Sequence, residues 1–445
     1  MTGCSQIAFG DNSCGDLKPV LCLPRNVPLS LDRKEAVMLV RRLLWLVVLM
    51  LLLVVLAGGG ALAWLLLRSP AQPARLVVLG PNKQVRLLDT RGGEQVLAEN
   101  AKTDGFSFPA TSPDQRHLAY VTEDDSGMAI VTLDVVSGER KEVYHSRESL
   151  PIDLAWSPDG KYIVFLAGEQ LTAQIVPADG SQPALLIAAR APSYFAWSPD
   201  SGTLLLHLGG HTAQGGHVAT YHPGETQSHP LLSDPGFFQA PAWAIDGQHF
   251  FYVAQPPITS AKPTIDDIKS DIMRVSAEGK EPTMLVREEK SDLRIIRAPN
   301  SNQIAYSIRG LEGFGPLKLI DGAGGTARML SHQDDHVTAF FWSPNGTQIA
   351  YLTYADAYQH EGSRTWHIVD VASGAIQDLA TFKPSSAFVG LQDFFDAYTF
   401  SFSPWSPDGT RLAYGADDGV YILDTAAGSA TKQTDGVLGM WMGGK

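Results

Sequence analysis

Cysteine is nearly absent from this chain. Its three cysteines, Cys4, Cys14 and Cys22, all precede residue 43, so the large remainder has no disulfide staple and must be held by packing. Charge is also sparse, at 18% of residues, and unbalanced: 34 Lys and Arg against 47 Asp and Glu give −13. The first 42 residues carry six basic and four acidic side chains, leaving −15 for everything after them. That sign argues against nucleic acid as a partner. Several chemical signatures are missing too. Gly209-Gly210 and Gly322-Ala323-Gly324-Gly325 open no predicted helix, and the Lys-Ser/Thr pair of a phosphate loop is absent. No zinc-protease helix motif and no nucleophile elbow occurs. The expectation is therefore no catalytic residue, no metal and no cofactor.

What the sequence holds instead is turn chemistry and one apolar run. Glycine and proline number 42 and 28, a mix that suits many short strands joined by tight turns. Residues 43–67 contain no charge and would reach about 37 Å as a helix, more than a hydrocarbon core of about 30 Å. Trp45 and Trp64 lie near its ends and Arg41-Arg42 abut its start, as interfacial anchors do. Arg33, Lys34, Arg41 and Arg42 on one side are matched by Arg68, Arg75, Lys83 and Arg86 on the other. The clustered arginine pair breaks the tie toward a single-pass cell-membrane anchor, with a cytoplasmic N-terminus and the large domain outside the cytoplasm. Ala61-Leu62-Ala63 supports a rival reading as a cleaved signal peptide, against which the apolar run continues through Trp64-Leu65-Leu66-Leu67. Met38 would itself start a typical signal anchor. The expected organisation is a disordered cytoplasmic tail at 1–42, a transmembrane helix at 43–67, a linker at 68–74 and the folded domain at 75–445.

That domain is repetitive. Trp156-Ser157-Pro158-Asp159-Gly160 returns as Trp197-Ser198-Pro199-Asp200, Trp342-Ser343-Pro344-Asn345-Gly346 and Trp405-Ser406-Pro407-Asp408-Gly409. Degraded copies place the Asp/Asn position at 114, 159, 200, 246, 300, 345 and 408. Proline presets φ for the turn, Asp or Asn tolerates its next position, and glycine supplies positive φ. A second hairpin signal, such as Leu133-Asp134-Val135-Val136-Ser137-Gly138, follows each copy. Its glycines fall near 93, 138, 180, 224, 279, 324, 374 and 428, eight turns against seven of the first kind. One inner strand is missing, and residues 437–441, which parallel 152–156, would supply it from the C-terminus. The prediction is an all-β propeller of about eight four-stranded blades closed by the C-terminal strand, with seven blades and a distorted insertion as the alternative.

These turns resemble the WD40-like, TolB-type β-propeller repeat, with its tryptophan-serine-proline-aspartate-glycine corner, over nearly all of residues 75–445. The resemblance implies the fold. It does not imply a chemistry, because the repeat serves both periplasmic binding proteins and the propellers of peptidases.

In such a blade the first-to-second and third-to-fourth turns share one face, which the sequence makes tight. The other face takes the long stretches 256–270, 354–365 and 381–399, and is the expected functional face. Tyr358 and His360 lie in the second stretch. Phe388, Asp393, Phe394, Phe395, Asp396 and Tyr398 lie in the third. They read either as an aromatic surface for a partner or as a folded-over loop capping the channel with its own core. His207, His211, His217, His222 and His229, and the group His332, Asp334, Asp335 and His336, are read as too dispersed for a metal. The leading functional expectation is a noncatalytic binding or scaffold module for a protein, peptide or glycan. The alternative is a propeller hydrolase or lyase with its site at the channel mouth.

Overall fold

The structure is a computed structural model. It describes residues 74–442 except 90–92, 103–105, 169, 190–192, 210–215, 234, 237–238, 256–266, 290–291, 311–312 and 356–361. The chain divides between Gln72 and Pro73, and every described residue belongs to the second unit. The predicted transmembrane segment 43–67 lies outside the described residues, among which no helix is long and apolar enough to cross a membrane.

Eight antiparallel sheets follow one another along the chain, as the mismatch between the two turn series predicts. Blade 1 takes Arg75–Leu79, Val85–Asp89 and Glu94–Ala98 from the start of the domain, and its inner strand, Leu438–Met442, from the end. In the register of that closure Leu76 faces Trp441 and Val78 faces Gly439. Blades 2 to 7 are four-stranded, with inner strands Ala110–Thr111, Pro151–Trp156, Ser193–Trp197, Ala242–Trp243, Asp292–Arg297 and Val337–Trp342. Blade 8 is a three-stranded sheet, Arg411–Ala416, Gly419–Asp424 and Ser429–Thr434. Its inner strand shrinks to a bridge between Trp405 and Leu412. Proline explains part of that reduction, because Pro404 has no N–H to give a ladder.

The repeated turn works as a small hydrogen-bond device. Ser157 Oγ donates to Asp159 Oδ1 at 2.6 Å and accepts the Tyr162 N–H at 3.0 Å. The same pair of bonds recurs at Ser198 with Asp200 and Thr203, and at Ser343 with Asn345 and Gln348. Hydrogen bonds from Ser198 and the Gly202 N–H hold the Asp200 carboxyl below the usual range. Gly160, Gly346 and Gly409 supply positive φ after the Asp or Asn. Blade 4 has Ser201 there instead, at φ 62°, and its hydroxyl accepts the Asp159 N–H of blade 3 at 2.9 Å.

The tryptophans join blade to blade. Trp156, Trp243, Trp342 and Trp405 each donate the indole N–H to an inner-strand carbonyl of the preceding blade, from Ala110, Ala196, Ile296 and Phe341, at 2.9–3.1 Å. Each indole therefore seals a gap and satisfies a backbone acceptor that would otherwise be buried unpaired. Trp342→Phe is expected to cost about 2 kcal/mol, the lost hydrogen bond plus the lost packing. Urea denaturation of the purified chain measures it, and a change below a few tenths of a kcal/mol would contradict this role.

Candidate functional site

The insertion between blades 7 and 8 determines the shape of the channel mouth. After the outer strand of blade 7, Ile376–Phe382, Pro384 bridges Ala416 and Ser385 N–H donates to Gly415 O at 3.1 Å. Ser385 then caps helix α1, Ser386–Asp393, accepting the Phe388 N–H at 3.1 Å. A single 3-10 turn, Ala397–Phe400, follows. Helix α1 packs on the inner strand of blade 7 and on strand Arg411–Ala416 of blade 8, whereas the 3-10 turn packs on the inner strands of blades 3 and 4. In a ring of eight these are opposite sides, so the insertion crosses the channel.

The candidate residues are placed accordingly. Phe388, Phe395, Asp396 and Tyr398 are buried, and Asp393 and Phe394 half-buried. They are not an exposed aromatic surface. Phe388 and Phe395 join Phe340, Phe341, Trp366, Tyr414 and Phe402 in one core, with Phe340 and Phe395 edge-on at 4.9 Å. The insertion thus takes the form of a cap whose rings share the core of blades 7 and 8, because its aromatic rings gain more from burial than from solvent. Tyr358 and His360 lie outside the described residues.

Beneath the cap is a polar cluster. Asp396 accepts the Ala240 N–H at 3.0 Å and stands 3.7 Å from Arg294 Nε, whose guanidinium also donates to Asp292 at 2.8 Å. All three side chains are largely withdrawn from water. Asp153 sits opposite, in the left-handed region at φ 50°, where the inner strand of blade 3 bulges between Ile152 and Ala155. Its N–H and the Tyr398 hydroxyl both donate to Phe106 O, at 3.4 and 2.9 Å. Burial and the neighbouring Asp396 push the Asp153 carboxyl up to about 7. His207, tilted against the Tyr194 ring at 5.7 Å and bonded to Gln239 O at 2.8 Å, is pushed down to about 4 by burial. Asp153 Oδ1, His207 Nε2, Gln239 Oε1 and Asp396 Oδ1 are buried without a hydrogen-bond partner.

Composition and turn motifs do not reveal Asp153, Tyr194, Gln239, Asp292 or Arg294. A signal did exist: Asp153, Tyr194 and Arg294 each stand three residues before the turn-tryptophan position of their blades, polar side chains at one shared inner-strand position. The other histidines do not converge. His222 bonds Gly202 O, His229 pairs with Glu225 and His336 bonds Phe314 O, whereas His211 lies outside the described residues. Among the described residues no three His, Cys, Asp or Glu side chains form a metal-holding group.

One further constellation has the outline of a nucleophile relay. Thr353 Oγ1 lies 2.8 Å from His367 Nε2, and His367 Nδ1 lies 2.7 Å from Asp378 Oδ1. Its polarity is reversed for catalysis, since the hydroxyl end is buried and the acid end is 72% exposed. Tyr351 stacks on His367 at 4.7 Å, so the line laces three strands of blade 7 together.

No family model matches the chain. Solved structures resemble it in fold alone, at low identity. Dihydro-heme d1 dehydrogenase NirN in complex with DHE is 12% identical, with a TM-score of 0.55 over 85% of this chain and 75% of that one. A prolyl endopeptidase is 11% identical, with a TM-score of 0.50 over 76% of this chain and 50% of its own. TolB from Acinetobacter baumannii is 18% identical, with a TM-score of 0.35 over 59% of this chain and 65% of its own length.

Proposed function

We propose that this protein is a membrane-anchored, extracytoplasmic β-propeller that acts as a noncatalytic binding or scaffold module, holding a protein, peptide or glycan on its loop-rich face. The observation that carries this reading is the insertion that fills the channel mouth on that face. With the mouth filled, the accessible part of the face is the rim of loops around it, a broad surface of the kind that suits a macromolecule better than a small substrate. The apolar segment 43–67 would restrict the disc to the membrane surface, where tethering raises the local concentration of a partner held in the same plane.

A photo-crosslinking residue in the full-length chain tests the reading in native membranes. Asp125 is exposed in a second-to-third-strand turn on the loop-rich face, and Val136 is exposed in a third-to-fourth-strand turn on the tight face. A consistent partner is expected from position 125 and not from position 136. External protease should reach the propeller in intact cells with their outer layers permeabilised. Capture from neither position, together with turnover of a model peptide or oligosaccharide, would overturn the reading.

A hydrolase or lyase is the second reading, and one observation favours it: Asp153, Asp292, Asp396 and His207 gather at the channel. They lie under the cap, so turnover would require the cap to lift.

A further inference from the structure

We propose that the insertion is a proton-controlled plug, which closes the channel at the loop-rich face while Asp153 carries a proton and loosens when Asp153 ionises. This switch does not depend on which partner the face holds.

The two sides of the plug are held very differently. On the blade 7 and 8 side it is anchored by backbone bonds, by Ser385, whose hydroxyl donates to Val437 O, and by the aromatic core around Phe388. On the far side it is held through side chains. Phe394 meets Phe106 edge-on at 5.3 Å, Tyr398 meets Phe108 edge-on at 5.0 Å and donates to Phe106 O, Ala397 packs with Tyr194 and Ala240, and Asp396 accepts the Ala240 N–H and faces Arg294. A device that opens on one side while staying attached on the other needs this asymmetry.

The weak side is also where the charges are. Around Asp153 stand Asp396 and Tyr398 from the plug and Tyr194 from blade 4, and behind Asp396 and Tyr194 stand Arg294 and Asp292 from blade 6, with His207 of blade 4 beside Tyr194. Arg294 is the cation of this group and is engaged by Asp292 and Asp396. Protonated, Asp153 adds no charge, and its bulged backbone sits against the plug through the shared Phe106 carbonyl. Ionised, it places an unpaired charge in a water-poor site, facing Asp396 on the plug. The cost falls on the contact between them.

The other groups leave the response to Asp153. His207 is neutral across the neutral range because burial pushes it down to about 4, so it cannot supply a compensating cation. Tyr194 and Tyr398 are held protonated by burial. The Asp153 carboxyl, pushed up to about 7 by burial and by Asp396, changes charge in that range. The sign follows: its proton affinity is higher in the closed state than in a solvated one, so closure weakens as pH rises through about 7.

Hydrogen exchange of the full-length chain in detergent, read by mass spectrometry at pH 6 and pH 8 and corrected for intrinsic rates, tests this. Peptides covering residues 394–400 are expected to exchange about tenfold faster at pH 8, while those from helix α1, Ser386–Asp393, and from the second strand of blade 7, Gln348–Tyr354, keep their protection. D153N is expected to hold the plug closed at both values. Asparagine accepts positive φ, so this variant suits the bulge; D153G, which also suits it, should likewise lose the pH response. Equal protection of 394–400 at both pH values in the parent, or an unchanged pH response in both variants, would overturn the proposal.

Discussion

A chain ended at Gly436 is expected to lose cooperative folding of the whole ring. The deleted strand, Leu438–Met442, is the inner strand of blade 1, and Leu438, Met440, Trp441 and Met442 are each at most 3% exposed. At roughly 2 kcal/mol for each large apolar side chain removed from water, the loss is on the order of 8 kcal/mol. That equals much of the stability of an ordinary domain. The effect should spread beyond blade 1, because the same segment is tied to the insertion as well: Val437 N–H donates to Leu79 O of blade 1, and Val437 O accepts the hydroxyl of Ser385, the cap of helix α1. Gly415 marks how tight this seam is. A Cβ there would stand 2.0 Å from Val437 O, so Gly415→Ala should reproduce a large part of the truncation. Near-ultraviolet circular dichroism and urea unfolding measure both, with deletion of 443–445 alone as the control. A truncated chain with a sharp transition within a few degrees of the parent would show that the ring does not depend on its closure.

Arg294→Met should destabilise the protein by about 3–5 kcal/mol at pH 7, the range found when one partner of a buried ion pair is removed. The guanidinium is 5% exposed, Asp396 1% and Asp292 19%. Removing the cation strands two carboxyls that burial already pushes upward and that Arg294 alone opposes with a full charge. Their folded-state proton affinity should then rise further above the unfolded value, so the added instability should grow as pH rises and shrink toward pH 5. The triple variant R294M/D292N/D396N should recover most of the loss, because a fully neutral cluster leaves no buried charge unpaired. Urea unfolding at pH 5 and pH 8 for parent, single and triple variants completes the cycle. A single-variant loss below 1 kcal/mol, or one independent of pH, would mean that the cluster is hydrated and not the dry site described above.

What could be read in the sequence was local. Trp156-Ser157-Pro158-Asp159-Gly160 encodes a turn whose bonds span six residues, so each copy announces a blade by itself. Counting two turn series against each other predicted both eight blades and the origin of the closing strand. The closing strand needed only a pattern match, because residues 437–441 parallel residues 152–156 of the blade 3 inner strand. The apolar segment 43–67 is equally local, since hydrophobic length is a property of consecutive residues.

Tertiary structure decided what those repeats surround. The aromatic and acidic residues at 388–398 read equally well as a binding surface or as a cap, because composition does not say which way a loop folds. Their burial follows from the apolar channel wall they meet across the ring, formed by blades far apart in sequence. The meeting of Asp396 with Arg294 and with Asp153 has the same origin. The three come from separate stretches of chain, and only closure of eight blades brings Asp396 to both of the others. Charge makes that meeting consequential, since the dry interior that seats Arg294 between two carboxylates is the one that raises the proton affinity of Asp153.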